Sequence, residues 1–269
     1  MSDHRSKFEA FSAGRNSSLS QPNSPLALIA TEWVESERSV WAIPGVWGPR
    51  TDGGSGLVVK AALSDELIVD GKKVDGHAFV RGPEENKAST VLFGTNITAG
   101  VIGSNGSYGL RVWDSQSDAL RRFGHVDAFS YNPDWIVRGV WREMAGAKHD
   151  FDYLRPEGVR KEQEIPGRIS FDHEGETYSV LAFRAGSALQ LVFADATTGL
   201  TSYGVGRFLF IAPEPDGAIT LDFNYAILPP CAFSFAFNCP LPPAQNRFPF
   251  LIEAGEKNVL DLAGELLHG

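Results

Sequence analysis

The feature that most limits what this chain can fold into is a proline- and aromatic-rich segment near its C-terminus, Leu221–Lys257. It reads LDFNYAILPPCAFSFAFNCPLPPAQNRFPFLIEAGEK and holds both cysteines of the chain. Each proline removes a backbone donor and biases the residue before it away from helical angles, so a long helix is excluded. A segment this apolar must be packed rather than solvated. We therefore predict that it forms a rigid, irregular wall against the rest of the protein.

Composition favours strands over helices in the remainder of the chain. Its 269 residues include 28 glycines, 16 prolines and 18 phenylalanines but two methionines, a balance typical of strands joined by tight turns. The clearest example is Gly167–Asp195, which reads as three strands with turns at Glu174-Gly175 and Ala185-Gly186. An Asp70-Gly71 pair between two short strand-like runs predicts a type I′ hairpin.

Two further strands are predicted at Gly206–Ile211 and Ala218–Asn224, paired with each other around the link Pro213–Gly217. A short amphipathic helix is predicted at Ser6–Leu19, because its phenylalanines and an arginine recur at helical spacing, and the last residues, 258–268, also read as helical. We therefore expect an all-β fold, a mainly antiparallel sandwich or barrel, with a short N-terminal helix; a second short helix at the C-terminal end stays open as an alternative.

The expected domain organisation is simple. Residues 1–24 are predicted to be the helix and a polar linker that pack on one β-rich domain, 25–269. We find no internal repeat, heptad pattern or glycine–serine linker that would divide the chain further.

The charge balance limits the kinds of partner. The formal net charge is −9 and no cluster of Lys and Arg stands out, so nucleic acid is not an expected partner. The first residues contain no apolar signal core, and no later run is long enough to span a bilayer, so we expect a soluble cytoplasmic protein. In that compartment Cys231 and Cys239 are expected to be thiols that pack as small hydrophobic side chains.

The sequence carries no motif for a metal or a nucleotide cofactor. Its six histidines are scattered, and no spacing of His and Cys matches a zinc site or a facial triad. The glycine-rich phosphate-binding motifs and the G-x-S-x-G elbow are missing as well. We therefore expect no cofactor and no metal, although these absences do not exclude an enzyme.

The strand that begins the wall carries the first candidate site residues. Alternate side chains of Ile219–Asn224 share a face, so Asp222 and Asn224 lie on the same polar side. Two interpretations stay open, because a carboxylate and an amide on one face can line a ligand cavity or can form the wet face of a half-buried sheet. If the protein is an enzyme, Asp222 is the expected general acid or base, with a pKa adjusted by burial and by a neighbouring arginine.

Arg207 lies in the otherwise apolar strand GRFLFI. Burying an unpaired guanidinium is costly, so Arg207 must reach an edge or find a carboxylate, and Asp222 is the predicted partner. The pair would be either a structural ion pair or part of an anion site. Arg111 could likewise belong to a structural ion pair or to an anion site, although Asp114 is not an obvious partner because it lies on the opposite face of the strand. Asp195, followed by Ala-Thr-Thr-Gly, predicts an Asx turn capped by its own carboxylate, and a catalytic role is the alternative.

With these residues in view, the chain resembles the bacterial and archaeal family known as domain of unknown function 1684 (DUF1684). The resemblance covers most of the chain and is carried by Phe193-x-Asp195-x-Thr197-x-Gly199 with Tyr203 and Arg207, by Leu221–Asn224, by Cys231-Ala232-Phe233, by Cys239–Pro243, by Asn246-Arg247 and by Glu253–Lys257. Members that it resembles typically have asparagine before Pro-Pro-Cys, where this chain has Leu228. The family has no assigned activity, so the resemblance implies an intact domain and the same residues without a reaction.

Two functions from different classes follow. In the first, a β-rich domain encloses a pocket for a small polar or anionic molecule, either as a binding protein or as a cofactor-independent hydrolase or lyase. Asp222 would be catalytic, and the ligand-binding residues would be Arg207, Arg111, Asn224, Asn246, Tyr203 and Glu253. In the second, the protein is a structural or protein-interaction domain. Its polar residues then form an internal network that fixes the C-terminal segment, and the expected members are Arg207, Asp222, Asn246 and Glu253.

Overall fold

The computed structural model describes residues 2–155 and 161–268. Within them the chain forms two compact units. The N-terminal unit comprises Ser18–Arg122 with Ser234–Phe237, and the C-terminal unit comprises the described parts of Met1–Ser17, Phe123–Phe233 and Asn238–Gly269. The expectation of one β-rich domain over 25–269 stays a prediction.

The N-terminal helix, α1, spans Ser2–Leu19 and is longer than the sequence predicted. Its packing within the C-terminal unit explains the helical spacing seen in the sequence. The ring of Phe11 lies 5.0 Å from the ring of Tyr225, measured between centroids. One turn further on, Arg15 Nε lies 2.8 Å from Glu256 Oε1. The predicted N-terminal helix is therefore confirmed.

The N-terminal unit consists of two antiparallel sheets around one core, followed by the short helix α2 (Asp118–Arg122). Its strands are β1 (Leu28–Trp33), β2 (Arg38–Val40), β3 (Ile43–Pro49), β4 (Gly56–Ala61), β5 (Ile68–Val69), β6 (Lys72–Lys73), β7 (Gly76–Arg81), β8 (Val91–Phe93), β9 (Ile97–Ser104) and β10 (Ser107–Asp114). One sheet has the order β1-β10-β9-β8-β5-β6 and the other β2-β3-β4-β7. The predicted hairpin joins β5 to β6, with positive φ at Asp70 (51°) and Gly71 (79°) as a type I′ turn requires.

The C-terminal unit is built on a six-stranded antiparallel sheet with the order β18-β17-β16-β15-β12-β19. Two two-stranded sheets accompany it, β11-β20 and β13-β14. The strands are β11 (Phe123–Ala128), β12 (Ile136–Glu143), β13 (Lys148–Phe151), β14 (Lys161–Glu164), β15 (Gly167–His173), β16 (Glu176–Ala185), β17 (Ala188–Phe193), β18 (Arg207–Ile211), β19 (Ala218–Asp222) and β20 (Glu256–Asp261). The predicted three-stranded meander is confirmed as β15, β16 and β17.

The predicted hairpin between β18 and β19 is wrong, because these strands lie at opposite ends of the six-stranded sheet. β18 pairs with β17, and β19 pairs with β12. In a flat sheet the outer strands would be about 24 Å apart, five spacings of about 4.8 Å. Fully extended, the seven residue steps from Ile211 to Ala218 would span only about 24 Å, and the link 212–217 is shortened by a tight turn in which Gly217 N–H donates to Glu214 O. The sheet must therefore curl into a half-barrel.

The wall predicted for Leu221–Lys257 is confirmed. Helical structure in this segment, all of which the structure describes, is limited to the 3₁₀ turns Phe223–Tyr225, Pro230–Ala232 and Ala244–Asn246. Its side chains complete the core of the half-barrel, and Phe223, Ile252, Ala254 and Phe248 are all buried within it. Between the end of β19 at Asp222 and the start of β20 at Glu256, the segment packs tightly without a strand or a long helix, as its prolines require.

The predicted C-terminal helix over 258–268 is wrong. Residues Glu256–Asp261 form strand β20, which pairs with β11. The chain then turns back, and Leu267 N–H donates to Val259 O at 2.9 Å. A helix of this length is marginal by itself, so pairing with an available strand overrides a weak helical pattern. Gly264, at φ +84°, also adopts a left-handed conformation that suits the turn.

The fold class is confirmed as mainly antiparallel β structure with an N-terminal helix. None of the helices in the described residues is both long and apolar enough to cross a membrane.

Two glycines of the C-terminal unit test how tightly the wall is packed. Gly255 and Gly175 both have positive φ, +80° and +84°. A Cβ at Gly255 would lie 2.6 Å from Ala226 O and 2.7 Å from Phe223 O, whereas a Cβ at Gly175 would meet nothing within 4 Å. Gly175→Ala should therefore cost about 1 kcal/mol from backbone strain alone. Gly255→Ala should cost about 3 kcal/mol, because overpacking adds to the same strain.

The free energy of unfolding of both variants, measured by urea denaturation, checks this prediction. Equal destabilisation of the two variants would show that the wall has room at Gly255.

Candidate functional site

The loop that connects β17 to β18, residues 194–206, folds around the carboxylate of Asp195. Asp195 Oδ1 accepts a hydrogen bond from the backbone N–H of Thr197 at 2.7 Å. Thr198 Oγ1 accepts from the backbone N–H of Asp195 at 3.1 Å. Gly199 has φ +78°, a left-handed conformation that glycine adopts without strain. The predicted Asx turn is therefore confirmed.

Arg207, the first residue of β18, is fully buried and forms an ion pair with Asp195. Its Nη2 lies 2.6 Å from Asp195 Oδ2 and also donates to Ile252 O at 2.9 Å. Its Nη1 donates to Ala254 O and, at 3.4 Å, to Glu256 O. Three carbonyls of the short segment 252–256 therefore reach a single guanidinium.

The predicted pairing of Arg207 with Asp222 is therefore wrong. The strand register explains the difference, because Phe193 of β17 lies opposite Arg207 of β18. Asp195, two residues beyond Phe193, is thus brought to the guanidinium when the loop folds back. Asp222 ends β19, at the far edge of the same sheet.

Most of the surroundings of Arg207 suit a buried cation, although its Nε is buried without a hydrogen-bond partner among the described residues. Burial lowers the pKa of Arg207 from its ordinary value, while the charge of Asp195 and its hydrogen bond oppose that shift. The rings of Phe129 and Phe193 have their centroids 5.7 and 5.2 Å from the guanidinium carbon, and aromatic faces attract a cation. No part of Arg207 reaches solvent, so its expected contact with a ligand stays a prediction.

Asn246 holds the C-terminal segment against the sheet. Its side chain is fully buried, and its Oδ1 accepts from Leu181 N–H at 2.9 Å. Its Nδ2 donates to Leu181 O at 2.9 Å and to Val192 O at 2.8 Å. Leu181 belongs to β16 and Val192 to β17. The amide therefore bonds to backbone groups of two strands, and its expected ligand contact stays a prediction.

Asp222 and Asn224 form a local cap. Asp222 Oδ1 accepts from the backbone N–H of Asn224 at 3.1 Å and from Asn224 Nδ2 at 2.8 Å, at the start of the 3₁₀ turn Phe223–Tyr225. Asn224, which is buried, also exchanges hydrogen bonds with the backbone of Asn132. These bonds satisfy backbone hydrogen-bonding groups where β19 ends. The acid–base role of Asp222 stays a prediction.

Two other expected site residues lie elsewhere. Arg111 belongs to β10 of the N-terminal unit, and its guanidinium carbon lies 4.9 Å from the ring centroid of Phe237 in the same unit. Glu253 is exposed, which corrects its expected place in a buried network. The buried carboxylate of that segment is Glu256, whose Oε2 accepts from the backbone N–H of Leu228 at 2.7 Å.

A cavity of about 330 Å³ lies within the C-terminal unit, beside the Asp195 loop. It is lined by the residues Gly199, Leu200, Ser202, Tyr203, Gly204, Ala232, Asn258, Val259, Leu266 and His268. None of these described lining residues is Asp, Glu, Lys or Arg. The lining is therefore a mixture of apolar surface and uncharged hydrogen-bonding groups, with one histidine.

Tyr203 is the sequence-predicted site residue that lines this cavity. Its hydroxyl donates to Cys231 O at 3.0 Å. Burial, followed by the charge of the neighbouring Cys231, raises the pKa of Tyr203, so the phenol stays neutral near neutral pH. Because its hydrogen is used by Cys231 O, the phenol oxygen can act toward a ligand only as an acceptor.

The other polar groups of the lining are held by the same loop and by β20. Ser202 Oγ lies 2.8 Å from Thr197 Oγ1, and Asn258 Nδ2 donates to Thr201 O at 3.1 Å. His268 Nε2 lies 2.9 Å from the backbone oxygen of Phe233. A carbonyl only accepts, so Nε2 must carry the hydrogen in this contact.

Sequence reasoning missed most of this lining. Ser202 and Gly204 flank Tyr203, which belongs to the motif identified in the sequence, but nothing in the sequence of this loop indicates that it lines a cavity. Asn258 and His268 come from the segment expected to be helical, and no local pattern places them beside the loop. Among the described residues, no group of three or more His, Cys, Asp and Glu side chains is arranged to hold a metal ion.

Comparison with known proteins supports the family assignment. The family model described as "Protein of unknown function (DUF1684)" matches residues 121–257, more than half of the chain, and the chain therefore belongs to this family. The solution NMR structure of an uncharacterized protein of Haloarcula marismortui is 34% identical over 51% of this chain and 77% of that chain, with a TM-score of 0.42. No curated protein matches the chain.

Truncating Arg207 tests the support beneath the loop. Arg207→Ala leaves the Asp195 carboxylate and three backbone carbonyls buried without their donor, so the free energy of unfolding should fall by about 3–5 kcal/mol. Arg138→Ala is the matched control, because it removes an exposed ion pair with Glu214 and should cost no more than about 1 kcal/mol. Denaturant titration of both variants provides the comparison, and equal small losses would contradict the structural role of Arg207.

Proposed function

We propose that this member of the DUF1684 family binds a small, uncharged molecule in the cavity of the C-terminal unit. The observation that carries the proposal is that the cavity is formed on a loop anchored by the buried pair of Arg207 and Asp195. A volume of about 330 Å³ is at the lower end of the range typical of small-molecule sites. A loop held by buried polar contacts keeps its hydrogen-bonding groups in fixed positions, as selective binding requires.

The lining favours an uncharged ligand over the anionic one that the sequence also allowed. Tyr203 offers an acceptor oxygen, and Ser202 and Asn258 offer a hydroxyl and an amide. Leu200 and Val259 provide apolar surface. A molecule with hydroxyl or amide groups on one side and an apolar portion on the other would satisfy these groups. A charged ligand would enter a lining that has no Lys, Arg, Asp or Glu among its described residues to pair with it.

We propose binding without catalysis as the primary role of the cavity. Asp222, the expected acid or base of a hydrolase or lyase, is absent from the lining and is engaged by Asn224. The titratable side chains at the cavity are Tyr203 and His268. The expected cytoplasmic location, and the expectation that nucleic acid is not a partner, stay predictions from composition.

One observation favours the alternative of a structural or protein-interaction domain. Arg207, Asn224 and Asn246 all direct their side-chain hydrogen bonds to groups of the protein itself. In that alternative these bonds serve only to specify the packing of the C-terminal wall. The cavity would then be a packing defect with no ligand, and a binding experiment separates the two functions.

The test is a thermal-shift screen of uncharged fragments that carry hydroxyl or amide groups, run beside carboxylates and phosphates of matched size. Fragments of the uncharged set should raise the melting temperature, and the charged set should not. Asn258→Ala and Leu200→Ala should each weaken a confirmed hit about tenfold, the effect of losing about 1.4 kcal/mol of contact.

Leu251→Ala is the matched control, since Leu251 is exposed and lies outside the lining. It should leave affinity unchanged. A hit that binds all variants equally would place its site elsewhere, and a screen without hits would favour the structural alternative.

A further inference from the structure

We propose that Cys231 and Cys239 form a peroxide-reactive pair, in which Cys231 is oxidised first and Cys239 then closes an intramolecular disulfide. This modification site is separate from ligand binding, and it does not depend on the proposed function. Both cysteines are thiols in the structure and both are buried.

The two cysteines are already in contact. The backbone N–H of Cys231 donates to Cys239 Sγ at 3.3 Å, so the sulfur of Cys239 lies against the residue that carries the first thiol. A disulfide needs two cysteines whose side chains approach in this way, without movement of distant backbone. The strand-like contact of Tyr153 with Pro240, and the bond from Leu154 N–H to Cys239 O at 3.0 Å, hold the second cysteine in place.

The surroundings favour the thiolate form of Cys231. The hydrogen bond from Cys239 is the largest cause that lowers the pKa of Cys231. Burial opposes it, while the positive charge of Arg155 acts in the same direction as Cys239. The thiolate is the reactive form of cysteine, so these contacts favour attack by Cys231.

The cavity lies next to Cys231. Tyr203, which donates to Cys231 O, and Ala232, the next residue in the chain, both line the cavity. One wall of the cavity therefore covers Cys231. Because Cys231 is only 1% exposed, a bulky disulfide reagent cannot approach its sulfur. Hydrogen peroxide is close to water in size, so it is the oxidant that needs the smallest opening between the cavity and the sulfur.

The reaction balances with hydrogen peroxide as the oxidant. The Cys231 thiolate attacks one peroxide oxygen, the S–O bond forms, the O–O bond breaks, and the hydroxide that leaves takes a proton to become water. The sulfur of Cys239 then attacks the resulting sulfenic acid, the S–S bond forms, and hydroxide leaves with the proton of the Cys239 thiol as a second water. Two thiols lose two electrons and one peroxide gains them.

The experiment treats the folded full-length chain with hydrogen peroxide and counts thiols after quenching and denaturation. Wild type should fall from two thiols to none, remain monomeric on a non-reducing gel, and lose about 2 Da in intact mass, the two hydrogens of a disulfide. Dithiothreitol should restore both thiols. Cys239→Ser should stop at a sulfenic acid on Cys231, which dimedone traps.

Cys231→Ser is the matched variant, and its remaining thiol should react about tenfold more slowly than that of Cys239→Ser. Melting curves establish that both variants are folded, and alanine replaces serine in any variant that is not. Retention of both thiols in wild type, a mixture of intermolecular disulfides, or equal rates for the two variants would overturn the proposal.

Discussion

The C-terminal unit depends on the burial of one cation. Arg207 is removed from water entirely, so its charge must be met by protein groups, and Asp195 together with the carbonyls of Ile252, Ala254 and Glu256 meets it. A buried ion pair is by itself weak evidence of stabilisation, because apolar residues of similar volume often replace one without loss. What distinguishes Arg207 is the set of carbonyls, which would be left buried and unbonded without it.

This arrangement connects three parts of the chain that belong to different structural elements. Arg207 begins the edge strand β18, Asp195 shapes the loop before it, and the carbonyls belong to the wall that covers the half-barrel. Asn246 makes a second connection of the same kind, from the wall to β16 and β17. The cavity is lined by the loop that Asp195 shapes, so its form follows from the buried network. The proposed binding of a small molecule would therefore depend on the same contacts that fix the wall.

The features that the sequence predicted are those that depend on residues close together in the chain. The Asp70-Gly71 hairpin, the Asx turn at Asp195 and the spacing of Phe11 and Arg15 on α1 are local, and the structure confirms each. The prolines of Leu221–Lys257 likewise exclude a long helix wherever the segment packs. Such patterns are set by backbone geometry and need no knowledge of topology.

The features that the sequence could not predict depend on which strands become neighbours. Pairing β18 with β19 was reasonable from their short link, but the curl of the sheet places them at opposite ends, so Arg207 meets Asp195 and not Asp222. For the same reason, the sequence did not show that Glu256, and not Glu253, is the buried carboxylate of its segment, or that β20 forms a strand where a helix was expected.

The central claim is tested most directly by the double variant Asp195→Leu with Arg207→Met, whose free energy of unfolding is compared with that of the wild type. The account predicts a loss of about 3 kcal/mol or more, because the carbonyls remain buried without a donor although no charge is left unpaired. A double variant as stable as the wild type would contradict it, because Arg207 would then be no more than half of a replaceable ion pair.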